Sequence, residues 1–313
     1  MYAIEAVGLS KTYPGGVRAV KGIDFEVTEG EVFGLLGPNG AGKSTTVGML
    51  TTTIVPTAGT ARLAGHDVVR SPLLARSVSS VVFQEAVVDR GLSGRANLEL
   101  HTRLWGVPAA KAKRLIDELV DALGLVGLIE RPVSSYSGGE RRRLEIARAL
   151  GSQPRVLFLD EPTVGLDPRI RHELLDVIAE LRSREQLTIL VTTHYLDEAQ
   201  RLCDRVGIIH EGSLVALDSP QALLAGLGNE ILEFRVSGSP ERAIASLRER
   251  GIAREDAFAV GARVTVPLHS AATAEALAVI ESEQLRASEI TTRVPNLDDV
   301  YLKFTGASLP EAA

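Results

Sequence analysis

Cysteine is almost absent from this sequence of 313 residues, in which Cys203 is the only one. No disulfide can form within one chain, which excludes the disulfide framework of small secreted domains. The sequence also lacks a run of about 18 apolar residues, the length that a membrane-spanning helix needs, and it lacks the basic start and apolar core of a secretory signal peptide. We therefore expect a cytoplasmic protein that does not itself cross a membrane.

Positively charged residues are outnumbered by negatively charged ones. The chain has 34 Lys and Arg against 40 Asp and Glu, a formal net charge of -6. Proteins that hold nucleic acid through its phosphates need clustered Lys and Arg, so no nucleic-acid partner is expected. With 45% apolar and 24% charged residues, the composition is that of a folded protein long enough for one large and one smaller domain.

A glycine-rich segment, residues 37–44, follows the apolar residues 31–36 and precedes a helix-compatible stretch at residues 43–50. We call this segment the phosphate loop, because it matches the pattern G-x-x-x-x-G-K-[ST] in full. Its glycines let backbone N–H groups turn toward phosphate, its lysine reaches the terminal phosphates, and its serine hydroxyl binds Mg²⁺. The order strand, loop, helix is that of a nucleotide site and disfavours a chance match. We expect ATP to bind through Gly37, Pro38, Asn39, Gly40, Ala41, Gly42, Lys43, Ser44 and Thr45.

Two adjacent carboxylates, Asp160 and Glu161, follow the apolar residues 156–159. An Asp-Glu-Pro sequence alone is typical of a solvated turn. After an apolar strand, and downstream of a phosphate loop, the pair instead indicates a division of roles. Asp160 would bind Mg²⁺ together with Ser44, either as a direct ligand or through another group that is one. Glu161 would accept a proton from the attacking water.

The segment Tyr136-Ser137-Gly138-Gly139-Glu140 lies just upstream of that strand. Ser137 and Glu140 have the spacing of a capping box, which begins a helix, and a helix N-terminus is also an anion site, so the two functions are compatible. With the phosphate loop, this segment resembles the signature of ATP-binding cassette (ABC) ATPases, with Tyr136 where Leu is common and Glu140 where Gln is common. The resemblance implies an ATP-dependent homodimer in which the signature residues Ser137, Gly138, Gly139 and Glu140 close over the nucleotide held by the other subunit.

Four further positions follow the order of the ABC family along almost all of the first 220 residues. The resemblance implies that Tyr13 stacks on adenine, that Gln84 contacts Mg²⁺ and that Asp167 lies in a loop crossing the dimer interface. It also implies that His194 hydrogen-bonds the γ-phosphate and helps to position the attacking water. Taken singly, each residue has a plainer interpretation: a half-buried strand aromatic, a strand end, a turn residue and a helix cap, respectively.

The same resemblance implies an α/β fold of the P-loop NTPase class and ABC type, with a mixed-sheet core, an antiparallel edge and a helical subdomain at about residues 90–150. Alternation in residues 2–9 and 23–27 predicts the antiparallel edge. We expect the nucleotide-binding domain to span residues 1–225 and an accessory α+β domain to span residues 226–313. The patterns in the accessory domain favour the order β-α-β-β-α-β, if a weak strand near Ala257 is counted.

Three consecutive arginines, Arg141, Arg142 and Arg143, follow the signature. A charge run within a helix favours a solvated face over a surface that docks a partner. We therefore assign these arginines no specific role.

Residues 163–168, the signature with its three arginines, and residues 297–302 are similar to the daunorubicin-resistance branch of bacterial ABC exporters. Its members pair with a separate transmembrane permease and export drugs or other apolar compounds. The resemblance implies an ATPase that uses ATP and Mg²⁺ on the inner face of the cell membrane. Two alternatives stay open: the ATPase subunit of an importer, and a soluble ABC ATPase of translation or DNA repair, which normally carries two cassettes or a coiled-coil insertion not visible here.

Overall fold

A computed structural model describes residues 1–85, 87–185, 187–269, 273–282 and 285–306. The chain divides into two compact units, the first of Met1–His194 and Arg201–Leu214, the second of Tyr195–Gln200 and Val215–Ala313. The expected domain boundary between residues 225 and 226 stays a prediction. Within the described ranges, no helix is long and apolar enough to cross a membrane.

An antiparallel sheet opens the first unit. Its strands are β1 (Tyr2–Thr12), β2 (Arg18–Thr28), β4 (Ala58–Leu63) and β5 (His66–Asp67), in the order β2-β1-β4-β5. Alternation produces this sheet: in β2, Ile23, Phe25 and Val27 are buried while Asp24 and Glu26 between them are exposed. The predicted antiparallel strands are confirmed.

The second sheet of the chain has six strands. Its strands are β3 (Val32–Leu36), β6 (Ser79–Val82), β7 (Val156–Asp160), β8 (Thr188–Thr193), β9 (Arg205–His210) and β10 (Ser213–Asp218), in the order β10-β9-β3-β8-β7-β6. Strand β3 pairs in parallel with β8 and β9, and β7 pairs in parallel with β6 and β8. Every residue of β3, β7 and β8 is buried, as in sheets covered on both faces. The carboxyl ends of these parallel strands therefore meet at one edge, where α/β proteins bind ligands.

Seven α-helices accompany the sheets along the described residues up to 202: α1 (Lys43–Leu50), α2 (Pro72–Ser77), α3 (Gly94–Leu104), α4 (Ala109–Ala122), α5 (Gly138–Leu150), α6 (Pro168–Glu185) and α7 (Leu196–Leu202), with a 3₁₀ turn at Val133–Ser135. Helices α3, α4 and α5 contact one another. In α4 the buried residues Ala112, Ile116, Leu119 and Val120 recur at helical spacing and form one apolar face. These three helices lie in the region where the sequence predicts a helical subdomain.

The later part of the chain contains α8 (Pro220–Ala225), β11 (Glu230–Val236), α9 (Pro240–Glu249), β12 (Phe258–Val260), β13 (Arg263–Leu268), α10 (Thr273–Ser282), β14 (Ala287–Arg293) and α11 (Leu297–Thr305). Its sheet is antiparallel in the order β12-β13-β11-β14. Leu232, Phe234 and Val266 belong to the core beneath the helices. The predicted β-α-β-β-α-β order is confirmed from β11 to β14, with the weak strand at Phe258–Val260.

Candidate functional site

A cavity of about 440 Å³ lies at the carboxyl end of β3. It brings together residues that are far apart in sequence: Tyr13 follows β1, Gln84 follows β6 and Glu161 follows β7. Between them lies the phosphate loop, so the predicted aromatic, amide and carboxylate surround the predicted phosphate site. The predicted residues that line the cavity are Tyr13, Asn39, Gly40, Gly42, Lys43, Ser44, Thr45, Gln84 and Glu161.

The shape of the phosphate loop depends on glycine at two close backbone contacts. A Cβ atom on Gly37 would lie 2.3 Å from the carbonyl oxygen of Ile209, and one on Gly42 would lie 2.5 Å from that of Ala19. Gly42 also has a φ of 110°, a conformation that other residues rarely adopt. Helix α1 begins directly after it at Lys43, and the first N–H groups of a helix have no partner within the helix. The loop therefore presents N–H donors to an anion.

Lys43 is buried, and its ammonium group is fully occupied by protein acceptors. It donates to the carbonyl oxygens of Gly37 at 2.7 Å and Pro38 at 3.1 Å. Its third contact is an ion pair with Oε1 of Glu161 at 3.0 Å. Since an ammonium group has three N–H donors, a phosphate oxygen that binds Lys43 must replace one of these partners.

Asp160 is held between the phosphate loop and β8. The hydroxyl of Ser44 donates to Oδ1 of Asp160 at 3.3 Å, and the hydroxyl of Thr192 donates to the same oxygen at 2.6 Å. Asp160 is only 7% exposed, so it is not part of a solvated turn. The sequence interpretation missed Thr192, although a hydroxyl residue near the carboxyl end of a strand beside the carboxylates could have indicated it.

The backbone of Glu161 is strained. Its φ of 47° lies in the left-handed region, which costs a residue other than glycine about 1–2 kcal/mol. The Glu161 N–H donates to the hydroxyl of Thr192 at 3.0 Å and to its carbonyl oxygen at 3.2 Å, which stabilises the turn. The Glu161 carboxylate contacts Lys43 and also lies 3.5 Å from Nδ1 of His194. The predicted catalytic pair, Glu161 and His194, is therefore brought together.

Tyr13 is positioned by contacts at its hydroxyl and its ring. The hydroxyl lies 3.4 Å from that of Thr45, and the Lys11 ammonium lies 5.3 Å from the ring centroid, within cation–π range. Lys11 also donates to the carbonyl oxygen of Val55 at 2.7 Å, which anchors the ammonium. Gln84, an exposed residue, lines the same cavity.

The signature residues lie at the start of α5. None of them is among the described residues that line the cavity. The Ser137 hydroxyl accepts from the Glu140 N–H at 3.3 Å, and the Glu140 carboxylate accepts from the Ser137 N–H at 2.7 Å. The predicted capping box is confirmed. Ser137 and Gly138 are exposed, whereas Gly139 is buried. A role of these residues toward nucleotide stays a prediction.

Asp167 lies next to the signature on the surface of the same subunit. It is exposed, and its Oδ1 accepts from the Ile170 N–H at 3.1 Å in the first turn of α6. A Cβ atom on Gly138 would lie 3.3 Å from Cδ2 of Leu166, the neighbour of Asp167. The structure thus separates the predicted residues around the cavity from the signature residues and Asp167, of which Ser137, Gly138 and Asp167 are exposed.

Tyr136, one of the two departures from the usual signature, is a packing residue. Its side chain is buried, and its hydroxyl donates to the carbonyl oxygen of Leu128 at 2.6 Å. Burial raises the pKa of the Tyr136 hydroxyl, and the Glu140 carboxylate adds to this effect. A Cβ atom on Gly94 would lie 2.5 Å from the Tyr136 hydroxyl, so glycine at residue 94 makes room for it.

The expectation of a solvated face is wrong for Arg142. Only 6% of this residue is exposed, while Arg141 and Arg143 are half-buried. The Arg142 guanidinium donates to backbone carbonyl oxygens of the segment that carries Glu161. A charge run does not reveal which of its members points into the core, which is why the sequence interpretation missed this residue.

Comparison with known proteins gives consistent similarities. The profile of the family described as "ABC transporter" matches residues 20–164. The chain is 42% identical over 313 residues to the "Daunorubicin/doxorubicin resistance ATP-binding protein DrrA" of Streptomyces peucetius, covering 97% of this chain and 92% of that protein. It is 38% identical over 314 residues to the "Nod factor export ATP-binding protein I" of Paraburkholderia xenovorans (strain LB400), covering 99% of each. The solved structure of cbiO1 from Clostridium perfringens, part of the ABC transporter complex cbiONQ, has a TM-score of 0.68 at 28% identity, covering 72% of this chain and 91% of that chain.

Proposed function

Because this chain belongs to the ATP-binding subunits of the ABC transporter family, we propose that it powers the export of a drug-like or other apolar compound through a separate membrane-spanning partner. The chain is an ABC-type ATPase, and two relatives along nearly its whole length are named for drug resistance and for export. The observation that carries the proposal is the cavity in which the phosphate loop meets Glu161. ATP hydrolysis at this cavity supplies the free energy for transport, and the membrane-spanning partner supplies the path for the compound.

The residues around the cavity have separate tasks in the proposed hydrolysis. The N–H groups of the phosphate loop and the Lys43 ammonium bind the phosphates, and Tyr13 stacks on adenine. Glu161 accepts the proton of the attacking water, and His194 beside it orients this water and the γ-phosphate. The 3.5 Å between His194 Nδ1 and Glu161 Oε1 supports this pairing.

The ion pair with the Lys43 ammonium also determines when Glu161 can accept a proton. Glu161 and phosphate oxygens compete for this ammonium, because its two other donors are held by backbone carbonyls. An anionic phosphate at Lys43 replaces the carboxylate as the counter-ion. Glu161 is then free to take a proton from water, which ties its activation to ATP binding.

Mg²⁺ fits the oxygen donors beside the phosphate loop. The Ser44 hydroxyl and the Asp160 carboxylate lie 3.3 Å apart, and Gln84 lines the same cavity. Mg²⁺ is commonly bound by one or two carboxylates together with phosphates and water. Among the described residues, no group of three or more His, Cys, Asp or Glu could hold a metal, so the nucleotide would supply further ligands. We propose that Ser44, Asp160 and Gln84 hold the ion, which would neutralise phosphate charge during hydrolysis.

We also propose an ATP-dependent homodimer with two subunits arranged head to tail. The exposure of Ser137, Gly138 and Asp167, and the position of Leu166, which a Cβ atom on Gly138 would meet at 3.3 Å, support a shared surface. The N-terminus of α5 would then meet the phosphates that the other subunit holds. ATP would join the two subunits and hydrolysis would release them, and this closing and opening would move the membrane partner.

The proposed location is the inner face of the cell membrane, where the chain binds its permease from the cytoplasm. We assign ATP binding to residues 1–225 and an accessory role to residues 226–313. The two alternatives, an importer subunit and a soluble ABC ATPase of translation or DNA repair, are not favoured, because the two relatives along nearly the whole chain are named for resistance and export.

The test is affinity purification of the tagged full chain from detergent-solubilised native membranes, with mass spectrometry of the polypeptides that accompany it. We expect a helical membrane protein of about six spans. Inside-out vesicles that contain both proteins should then take up a fluorescent apolar dye only with ATP, and the Glu161→Gln variant should not. Recovery in the soluble fraction alone, with ribosomes, would contradict the export function while leaving the ATP site intact.

A further inference from the structure

Arg142 in α5 contacts the backbone that carries the two adjacent carboxylates, Asp160 and Glu161. Its Nε donates to the carbonyl oxygen of Pro162 at 2.8 Å. Its Nη2 donates to the carbonyl oxygens of Asp160 at 3.1 Å and Glu161 at 3.2 Å. One buried guanidinium therefore holds three consecutive peptide carbonyls at the end of β7.

The other terminal nitrogen of Arg142 reaches a second part of the site. Its Nη1 donates to the carbonyl oxygen of Phe83, the residue before Gln84, and to Oε2 of Glu145 at 2.9 Å. The second carboxylate oxygen of Glu145 accepts from the N–H of Val87 at 3.1 Å. Arg142 and Glu145, one turn apart in α5, thus hold the backbone on both sides of Gln84.

All five N–H donors of the Arg142 guanidinium are used. Four of the five acceptors belong to the two segments that supply Gln84, Asp160 and Glu161 to the site. An apolar residue would fill the same space without the cost of burying a charge, so packing alone does not account for an arginine here. The arrangement matches a need to hold particular carbonyls in place.

The strained backbone of Glu161 is the feature that most needs such support. Its left-handed φ of 47° persists only if surrounding contacts determine it. Thr192 holds the N–H side of the Glu161 residue, and Arg142 holds its carbonyl side. Release of either side allows the turn to relax, and the Glu161 carboxylate would then move relative to Lys43 and His194.

We propose that Arg142 is a positioning residue for ATP hydrolysis, which orients the Glu161 carboxylate through the backbone and links its position to the segment that carries Gln84. The proposal rests on the proposed role of Glu161 as the catalytic base. Arg142 is not among the described residues that line the cavity, so its loss should affect the chemical step and not the binding of ATP.

The experiment compares Arg142→Met, Arg142→Lys and the control Arg143→Met in the full chain. Methionine keeps the unbranched length but has no N–H donors, whereas lysine keeps the charge and three donors. We expect Arg142→Met to lower kcat about ten- to a hundred-fold, since small misplacements at a reacting centre have effects of this size. The Kd of a fluorescent ATP analogue should stay within about twofold, because the phosphate loop is unchanged.

Arg142→Lys should recover part of the lost kcat, because three donors can replace some of the five. Arg143→Met should keep the wild-type kcat, since Arg143 pairs with Glu173, which is partly exposed. The split between kcat and Kd, together with rescue by lysine, is a result that a merely structural residue does not produce.

Two results would overturn the proposal: a wild-type kcat in Arg142→Met, or a parallel loss of ATP affinity and thermal stability in both Arg142 variants. If Arg142→Met does not fold, a folded Arg142→Lys with both the wild-type kcat and the wild-type Kd would overturn it equally. Failure of the proposed function is distinguishable, because the wild-type chain would then show no transport with any membrane partner, whatever the Arg142 variants do to hydrolysis.

Discussion

Replacing Glu161 by glutamine tests the proposed catalytic role of this residue most directly. Glu161 is 7% exposed, and the Oε1 of its carboxylate lies 3.0 Å from the Lys43 ammonium and 3.5 Å from His194 Nδ1. Glutamine has nearly the same shape, so the change removes the negative charge and the proton acceptor with little effect on packing. Two separate effects follow, one on the chemical step and one on ATP affinity.

The chemical step should be slowed by about 10²–10⁴-fold, the usual contribution of a general base. This corresponds to about 2.7–5.5 kcal/mol in the activation barrier. ATP binding should become tighter, because phosphate no longer competes with a carboxylate for Lys43. Two unit charges 3.0 Å apart attract by about 5–6 kcal/mol at an effective dielectric constant of about 20. Desolvation offsets most of that energy, and a surviving net difference of about 1.4 kcal/mol would tighten ATP binding about tenfold.

Two assays measure these effects on the same preparations: steady-state phosphate release for the chemical step, and titration with a fluorescent ATP analogue for affinity. Glu29→Gln is the matched control, because Glu29 is a partly exposed carboxylate whose ion pair is with Arg155. The control should hydrolyse ATP at the wild-type rate. Undiminished turnover in Glu161→Gln would refute the role of the base, and weaker ATP binding would refute the competition for Lys43.

Three further variants test the structure around the site. Gly139→Ala should destabilise the chain by about 1–3 kcal/mol in calorimetry, because its Cβ would lie 2.3 Å from Cγ2 of Ile170; an unchanged unfolding temperature would contradict this packing. Glu140→Gln should keep the capping box and the stability of α5, whereas Glu140→Ala should lose about 0.5–2 kcal/mol; equal unfolding temperatures would count against the cap. Burial, and secondarily the charge of Arg148, lower the pKa of His101 from 6.5 to about 4. As the pH falls below 6.5, the unfolded chain therefore binds a proton that the folded chain excludes, and stability is lost. Between pH 7 and 5, urea unfolding should show that the wild type loses about 1–2 kcal/mol more than His101→Phe, and parallel pH curves would contradict it.

The features that could be predicted from sequence are those set by short, contiguous segments. The phosphate loop places its glycines, Lys43 and Ser44 within eight residues, and its glycines permit the backbone conformations that turn N–H groups toward phosphate. The capping box of Ser137 and Glu140 is equally local, since both hydrogen bonds span three residues. Alternation in β2 reports directly on which side chains face the core.

The contacts that could not be predicted join residues far apart in the chain. Thr192 is an ordinary strand residue in the sequence, yet its hydroxyl holds Asp160 across two parallel strands. Arg142 looks like its two neighbours in the charge run, and only the packing of α5 against the end of β7 turns it inward. In the sequence, Tyr136 is only a departure from a common pattern. In the structure, its hydroxyl donates to the carbonyl oxygen of Leu128.

The sequence by itself indicated the nucleotide-binding class, the side chains of the candidate site and the order of strands and helices from β11 to β14, because these follow from local backbone geometry and from the chemistry of each side chain. The tertiary structure alone decided how those groups act on one another. Sheet register brings Asp160 beside Ser44, and the left-handed turn at Glu161 brings its carboxylate to Lys43. The physical reason is that hydrogen bonds and ion pairs depend on distances of a few ångströms, which only the packing of strands β3, β7 and β8 establishes.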